Sequence, residues 1–301
     1  VHGPTNRLGW QPHASGSSKD YRAASGSFTK PDKITRILSR ATMNPVLVFD
    51  IETIPDIAGL RRLHNVGDEA SDHEVGEMAF LMRRQQTGGS DFMPHYLQRV
   101  VTISCTLREG DRFRVFSLSE PEATEGQIVQ RFFDGIEKYT PQLVSWNGGG
   151  FDLPVLHYRA MLHGVTAPKY WDWGDDDRDF KYNNYLSRYH TRHLDLMDVL
   201  AMYSGRANAP LDQLAKLYGF PGKLGMDGSE VWPAYQRGEI AAIRDYCETD
   251  VVNTWLVYLR FQRMRGVLTA GQYEQEIALV RASLEEIGAE HWFEFLEAWE
   301  A

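Results

Sequence analysis

Val46-Leu47-Val48-Phe49-Asp50-Ile51-Glu52-Thr53 is a short apolar run that ends in Asp-Ile-Glu-Thr, with Pro55 two residues beyond it. A Val-rich run of this length, closed by a proline, predicts a buried strand. Side chains alternate across a strand, so Asp50 and Glu52 share one face while Phe49 and Ile51 share the other. Two carboxylates on one face at the end of a buried strand repel each other, and a cation between them is what lets both stay ionised. The stretch therefore predicts half of a divalent-metal site. Its alternative is a pair of solvated carboxylates where the strand leaves the core.

Downstream, residues 56–98 form a long connection with helical patches at 58–64 and 74–85, a length that marks a functional or mobile segment. Arg99–Leu107 and Arg112–Ser117 predict a hairpin about the turn Glu109-Gly110-Asp111. Residues 122–139 place apolar side chains at 128, 129, 132, 133 and 136, the spacing of an amphipathic helix, and Pro141 stops it. Leu143-Val144-Ser145-Trp146 predicts the next strand. Asn147-Gly148-Gly149-Gly150-Phe151-Asp152 follows it and leads into a helix over 153–162, so Asp152 stands at a helix start and is a candidate N-cap. The three glycines permit close approach of backbone or ligand. They match neither GxGxxG nor a Walker loop.

Residues 168–189 are irregular and mix an Asp run with Tyr170, Trp171, Trp173, Phe180, Tyr182 and Tyr185. Interleaved with Arg178, Lys181 and Arg188, these aromatics are able to stack on single-stranded bases. The favoured expectation is that they pack the loop on the core and that the Asp run is solvated. His193-Leu194-Asp195-Leu196-Met197-Asp198 is expected to open a helix with Asp195 as its cap rather than as a metal ligand. A short helix is expected over 211–218. The turn-rich loop 219–228 carries Lys223, either a phosphate contact or part of a plain connector. Residues 239–265 predict a long helix ended by Gly266, on which Tyr246 and Asp250 share a face. Residues 272–287 and 291–299 predict terminal helices packed on the body.

Asp50, Glu52, Asp152 and Asp250, with the Tyr246 phenol, make an all-oxygen set that suits hard cations such as Mg²⁺ or Mn²⁺. Four carboxylates can hold two such ions ~3.5–4 Å apart, the clamp used for in-line displacement at phosphorus. Asp-Ile-Glu-Thr, Asn-x3-Phe-Asp and Tyr-x3-Asp, in this order, resemble the three motifs of the DEDD 3′→5′ exonuclease superfamily, whose fold is ribonuclease H-like. The tyrosine four residues before the last aspartate resembles the DEDDy branch. Phe151-Asp152-Leu153-Pro154-Val155-Leu156, Pro221-Gly222-Lys223 with Asp227-Gly228, and Tyr246-Cys247-Glu248-Thr249-Asp250-Val251 extend the likeness to stand-alone predicted exonucleases related to the proofreading domain of family B DNA polymerases.

The resemblance implies an α/β fold with a mixed central sheet flanked by helices, and two divalent cations, Mg²⁺ or Mn²⁺. It makes Asp50, Glu52, Asp152 and Asp250 the metal ligands and Tyr246 the residue that orients the water. Asn147, Thr53 and the backbone near Ile51 become the expected substrate contacts, to which the loop residue Lys223 is added as a candidate on its own charge. It also implies hydrolysis of terminal phosphodiesters at a single-stranded or frayed 3′ end, DNA before RNA, and a polymerase or repair partner. The alternatives are a 3′ exoribonuclease, a catalytically silent module that binds 3′ ends, and a metal-stabilised structural domain.

Composition sets the outer limits. The net charge of −9 is uneven: residues 1–42 hold seven Lys/Arg against two Asp/Glu, the rest 25 against 39. An acidic body is a poor non-specific duplex binder, so contact with a few nucleotides at one end is expected. Residues 1–42 are set apart as a flexible or expression-derived leader ahead of Met43, with a basic nucleic-acid-binding arm as the sharper alternative. The exonuclease domain is expected over 43–270, with helices of 271–301 packed on it. The two cysteines, Cys105 and Cys247, are expected to be reduced core thiols. Without an apolar leader or a membrane-length apolar run, the cytoplasm is the expected compartment.

Overall fold

The computed structural model describes residues 44–120 and 122–300. Met43 and the leader of 1–42, with its basic-arm alternative, lie outside the described residues. The opening stretch forms strand β1 (Val46–Pro55). It pairs antiparallel with β2 (Gln98–Glu109), and β2 turns at Gly110 into antiparallel β3 (Arg112–Ser117). Gly110 holds φ +60, the left-handed backbone such a turn requires. On the other side β1 pairs parallel with β4 (Gln142–Ser145), and β4 pairs parallel with β5 (His193–Asp195). The order β3-β2-β1-β4-β5 is a mixed five-stranded sheet with β1 at its centre. This is a ribonuclease H-like α/β fold.

Alternation along β1 separates two packed layers. Leu47, Phe49 and Ile51 enter one core with helix α3 (Glu125–Tyr139) and helix α4 (Asp152–His163). Val46 and Val48 enter the other, with helices α6 (Leu211–Leu217), α8 (Ile240–Met264), α9 (Ala270–Ile287) and α10 (Glu290–Glu300). Asp50 and Glu52 continue the second face, toward α8. At Glu52/Thr53 the β1–β2 register shifts and Val101 is left over on β2, a bulge at the position where the carboxylates leave the core.

The long connection after β1 folds into α1 (Ile57–His64) and α2 (Asp72–Thr87), close to the two expected patches. Helix α3 starts three residues later than the expected 122, because Thr124 and Gln127 close a capping box there. Two elements depart from expectation. His193–Asp195 is strand β5 rather than a helix start, and helix α5 (Leu196–Leu200) follows it with Asp195 as the cap. Helix α7 (Val231–Gln236), unexpected from the sequence, packs Val231, Trp232 and Ala234 against Ile54, Val101 and Tyr246.

The 168–189 loop packs as expected through buried Tyr170, Phe180 and Tyr185, while Trp173 and Tyr182 stay exposed. Its Asp run is not simply solvated. Asp172 is buried and accepts hydrogen bonds from the backbone N–H groups of Gly174, Asp175, Asp176 and Asp177. Both cysteines are buried and free. Helix α9 docks on α8 and on β3, with Arg108 of β2 bonding both carboxylate oxygens of Glu276 at 2.8 Å. Among the described residues no helix is long and apolar enough to cross a membrane.

Candidate active site

Three elements bring the four carboxylates together. β1 presents Asp50 and Glu52, α4 begins with Asp152, and the middle of α8 presents Tyr246 and Asp250. Asp152 is the first helical residue rather than the N-cap, a position taken by Phe151. Its Oδ1 accepts from the Ile51 N–H at 3.2 Å, which fixes α4 to the strand that carries Asp50 and Glu52. Glu52, Asp152, Tyr246 and Asp250 are buried, and Asp50 is half-buried. Lys223 reaches into the same cluster, with Nζ 3.2 Å from Asp250 Oδ2 and hydrogen-bonded to the Tyr246 hydroxyl. Cys247 also belongs to it. One donor atom each from Asp50, Glu52 and Cys247 lie within 4.8 Å of one another, so a thiol stands beside the oxygen donors.

Of the expected substrate contacts, Thr53 lines a cavity of about 600 Å³ beside Glu52, together with Phe92, Phe151 and Trp232. Its hydroxyl donates to Gln98 Oε1 at 2.9 Å. Ile51 is buried and its N–H is engaged by Asp152, so neither its side chain nor that N–H is open to a substrate. Asn147 is exposed, with φ +66, and its backbone shapes the glycine turn. Its N–H donates to Asp195 Oδ1 at 3.0 Å, and its carbonyl accepts from Gly150 and Phe151.

Several residues position the site through contacts the sequence did not announce. Asp195 caps α5 and also receives the N–H of Gly149 at 2.8 Å, so it pins the turn that aims Asp152. Asn253, on α8 one turn past Asp250, exchanges hydrogen bonds with Gly222 of 3.1 Å and 2.9 Å, and Asp212 receives the Lys223 N–H at 2.7 Å. These contacts hold the Pro221-Gly222-Lys223 loop over the site. Asn253 is three residues from Asp250, and that helical spacing was the available clue.

The electrostatics are those of a site awaiting positive charge. Burial, then Asp152, Glu52 and Asp250, push the Asp50 carboxyl well above its usual range, with Lys223 the opposing influence. Burial and Asp250 do the same to Glu52. Burial raises Asp152 to about 7 against the pull of its backbone hydrogen bonds. Burial also raises Asp250, which Lys223 partly offsets. Burial disfavours the Lys223 ammonium, but Asp250, Asp50 and Glu52 outweigh it and the net shift is upward. Burial and the same three carboxylates hold the Tyr246 phenol far above its ordinary value, so at neutral pH it is a hydrogen-bond donor and no base. One ammonium faces four carboxylates. Asp250 Oδ1 is buried without a hydrogen-bond partner among the described residues, a position that divalent cations held by carboxylates would satisfy.

A second cluster joins Asp245 and Glu248 of α8 to His291 of α10. Its Nδ1 lies 3.5 Å from Asp245 and its Nε2 3.3 Å from Glu248. Each ring nitrogen faces a different carboxylate, and one donor atom from each of the three residues lies within 4.8 Å of the others.

A family model described as "Predicted 3′-5′ exonuclease related to the exonuclease domain of PolB" matches residues 90–299. The chain belongs to this family. The matched residues include Asp152, Lys223, Tyr246 and Asp250; β1 precedes them, so Asp50 and Glu52 join the site through the geometry above. The catalytic subunit of DNA polymerase epsilon from Emericella nidulans is 24% identical over 145 residues, covering 46% of this chain and 6% of that protein. The Kluyveromyces lactis protein of the same name is 27% identical over 157 residues, covering 50% and 6%. The chain thus spans a small fraction of the curated relatives it matches. The structure of the family B DNA polymerase from the hyperthermophilic archaeon Pyrobaculum calidifontis aligns over 71% of this chain and 24% of that chain, at 18% identity and a TM-score of 0.43.

Proposed function

We propose that this protein is a metal-dependent 3′→5′ exonuclease that releases nucleoside 5′-monophosphates from the 3′ end of single-stranded or frayed DNA by two-metal hydrolysis. The observation behind this is the convergence of Asp50, Glu52, Asp152 and Asp250 from three separate elements, around an Asp250 oxygen that has no hydrogen-bond partner among the described residues. These four side chains are the ones to hold two divalent cations, Mg²⁺ or Mn²⁺. Such ions, when bound, supply activation of a water and neutralisation of charge on the leaving 3′ oxygen.

The chain's own groups do the rest. Tyr246, kept protonated by its surroundings, donates a hydrogen bond that orients the attacking water. Lys223 holds the phenol oxygen and offsets carboxylate charge as an anionic substrate approaches. The cavity beside Glu52 and Thr53 has a volume in the ~300–1,000 Å³ range of ligand sites and takes the terminal nucleotides. Asn147 borders the 3′ end from the glycine turn. DNA is preferred over RNA because the named relatives are DNA polymerases. The same reading assigns residues 43–270 to the exonuclease domain and 271–301 to helices that support it.

The test is a ladder assay on 5′-labelled single-stranded DNA and RNA of matched sequence, with Mn²⁺ or EDTA, on wild type and Asp250→Asn. Shortening one nucleotide at a time with Mn²⁺, absent in EDTA and slowed at least ~10²-fold (about 2.7 kcal/mol of barrier) in the variant, is the expected result. Faster cleavage of RNA would move the substrate class. Binding of the 3′ end without cleavage would replace the enzyme with a binding module.

A further inference from the structure

Cys247 has no task in the proposed hydrolysis, yet it lies inside the carboxylate cluster. It stands on α8 between Tyr246 and Asp250, is fully buried, and places Sγ 3.5 Å from the Asp50 carbonyl and 3.6 Å from Asp50 Oδ2. A buried cysteine ordinarily behaves as a small hydrophobe. That accounts for its burial but not for a thiol set against the Asp50 carboxylate with Glu52 close by. In a tetrahedral zinc site, bonds of ~2.3 Å to sulfur and ~2.0 Å to oxygen put the two donors about 3.5 Å apart. The Sγ–Oδ2 separation of 3.6 Å matches that edge, and Glu52 supplies a third donor within 4.8 Å of both. Asp250, 7% exposed and with Oδ1 unpartnered among the described residues, adds its charge to the same carboxylates. Oxygen donors alone suit Mg²⁺ or Mn²⁺, whereas a thiolate among them selects zinc-like ions.

We propose that Asp50, Glu52 and Cys247 form a binding site for a thiophilic divalent cation, Zn²⁺ or its analogue Cd²⁺. As the metal–sulfur bond forms, the S–H bond breaks and its proton leaves to solvent, and any proton held by the Asp50 or Glu52 carboxyl leaves as its bond to the metal forms. The consequence for catalysis rests on the exonuclease reading: Asp50 and Glu52 are shared, so Zn²⁺ competes with Mg²⁺ or Mn²⁺ and inhibits the enzyme.

The experiment titrates Cd²⁺ into metal-free wild type, Cys105→Ser and Cys247→Ser, following the ultraviolet sulfur-to-cadmium charge-transfer absorption. Mn²⁺ binding is followed by electron paramagnetic resonance on the same samples. The chain has two cysteines, so the absorption can be assigned completely. The expected result is a band saturating at a single Cd²⁺ in wild type and Cys105→Ser, its loss in Cys247→Ser, and displacement of bound Mn²⁺ by Cd²⁺ in wild type. Retention of the band in Cys105→Ser assigns Cys247 even if Cys247→Ser does not fold. No band in wild type that binds Mn²⁺, or a band carried by Cys105, overturns the thiol site and leaves the carboxylate site standing. Binding of neither ion overturns both.

Discussion

Asp250 Oδ1 is a buried acceptor with no hydrogen-bond partner among the described residues, a state that costs ~1–3 kcal/mol unless a cation or water relieves it. The neighbouring oxygen of the same carboxylate is held by Lys223, which stands in for part of the positive charge the cluster calls for. Lys223→Met is therefore expected to lower the stability of the metal-free protein. Breaking a fully buried pair costs ~3–5 kcal/mol; with the Lys223 side chain 30% exposed, about 1–3 kcal/mol is expected. Mn²⁺ should restore most of that loss, because it supplies the missing charge. Thermal melts with Mn²⁺ and with EDTA measure both effects, and a loss indifferent to Mn²⁺ would reduce Lys223 to a packing role. Gly222 carries a related prediction. Its φ is +70, and a Cβ there would fall 2.5 Å from Asp212 Oδ1 and 2.8 Å from Lys216 Cε. Gly222→Ala should cost ~1–3 kcal/mol by urea denaturation and slow cleavage by displacing Lys223.

Helix α4 owes its placement to a buried ion network as well as to its apolar face. Arg159, two turns past Asp152, donates to Glu125 Oε1 at 2.7 Å and to Asp56 Oδ2 at 2.6 Å, and Glu125 Oε1 also accepts the Val100 N–H at 2.7 Å. One guanidinium thus joins the end of β1, the start of β2, the first turn of α3 and the body of α4. Arg159→Leu takes the guanidinium from two buried carboxylates, of which Glu125 keeps His163 and the Val100 N–H, and is expected to cost ~3–5 kcal/mol by urea denaturation. Adding Glu125→Gln should recover part of the loss, and strict additivity of the two changes would refute the coupling. None of this is visible in the apolar spacing of either helix, since the partners are 34 and 103 positions apart in the chain.

For the protein as a unit, the raised carboxyl groups make stability depend on pH and on metal together. Asp152 is raised from 3.8 to about 7, and Asp50, Glu52 and Asp250 are raised with it. Between the unfolded and folded values the folded protein binds more protons than the unfolded chain, so the stability they contribute falls as pH rises. In EDTA the melting temperature is expected to drop as pH rises from about 4 toward 7, after allowance for other groups. With saturating Mn²⁺ the drop should shrink or reverse, because cations favour the ionised carboxylates. Parallel melts across that range check this, and identical profiles with Mn²⁺ and EDTA would mean that no ion enters the cluster.

The amino-acid sequence by itself determined the centre of this protein. Val46 to Phe49 could only be a buried strand, its alternation put Asp50 and Glu52 on one face, and the helical spacing of Tyr246 and Asp250 put those two together. Those are local properties, set by backbone periodicity. The strand His193–Asp195 was not legible, because three residues become a strand only by pairing with Leu143–Ser145, 50 positions away. The inward aim of Lys223 and Cys247 was equally hidden. Lys223 is held by Asp212 and the Asn253 clasp on Gly222, and Cys247 acquires its carboxylate neighbours only where α8 crosses β1. Long-range packing decided which side chains share the site, because no period in the chain encodes the distance between two elements that meet only after folding.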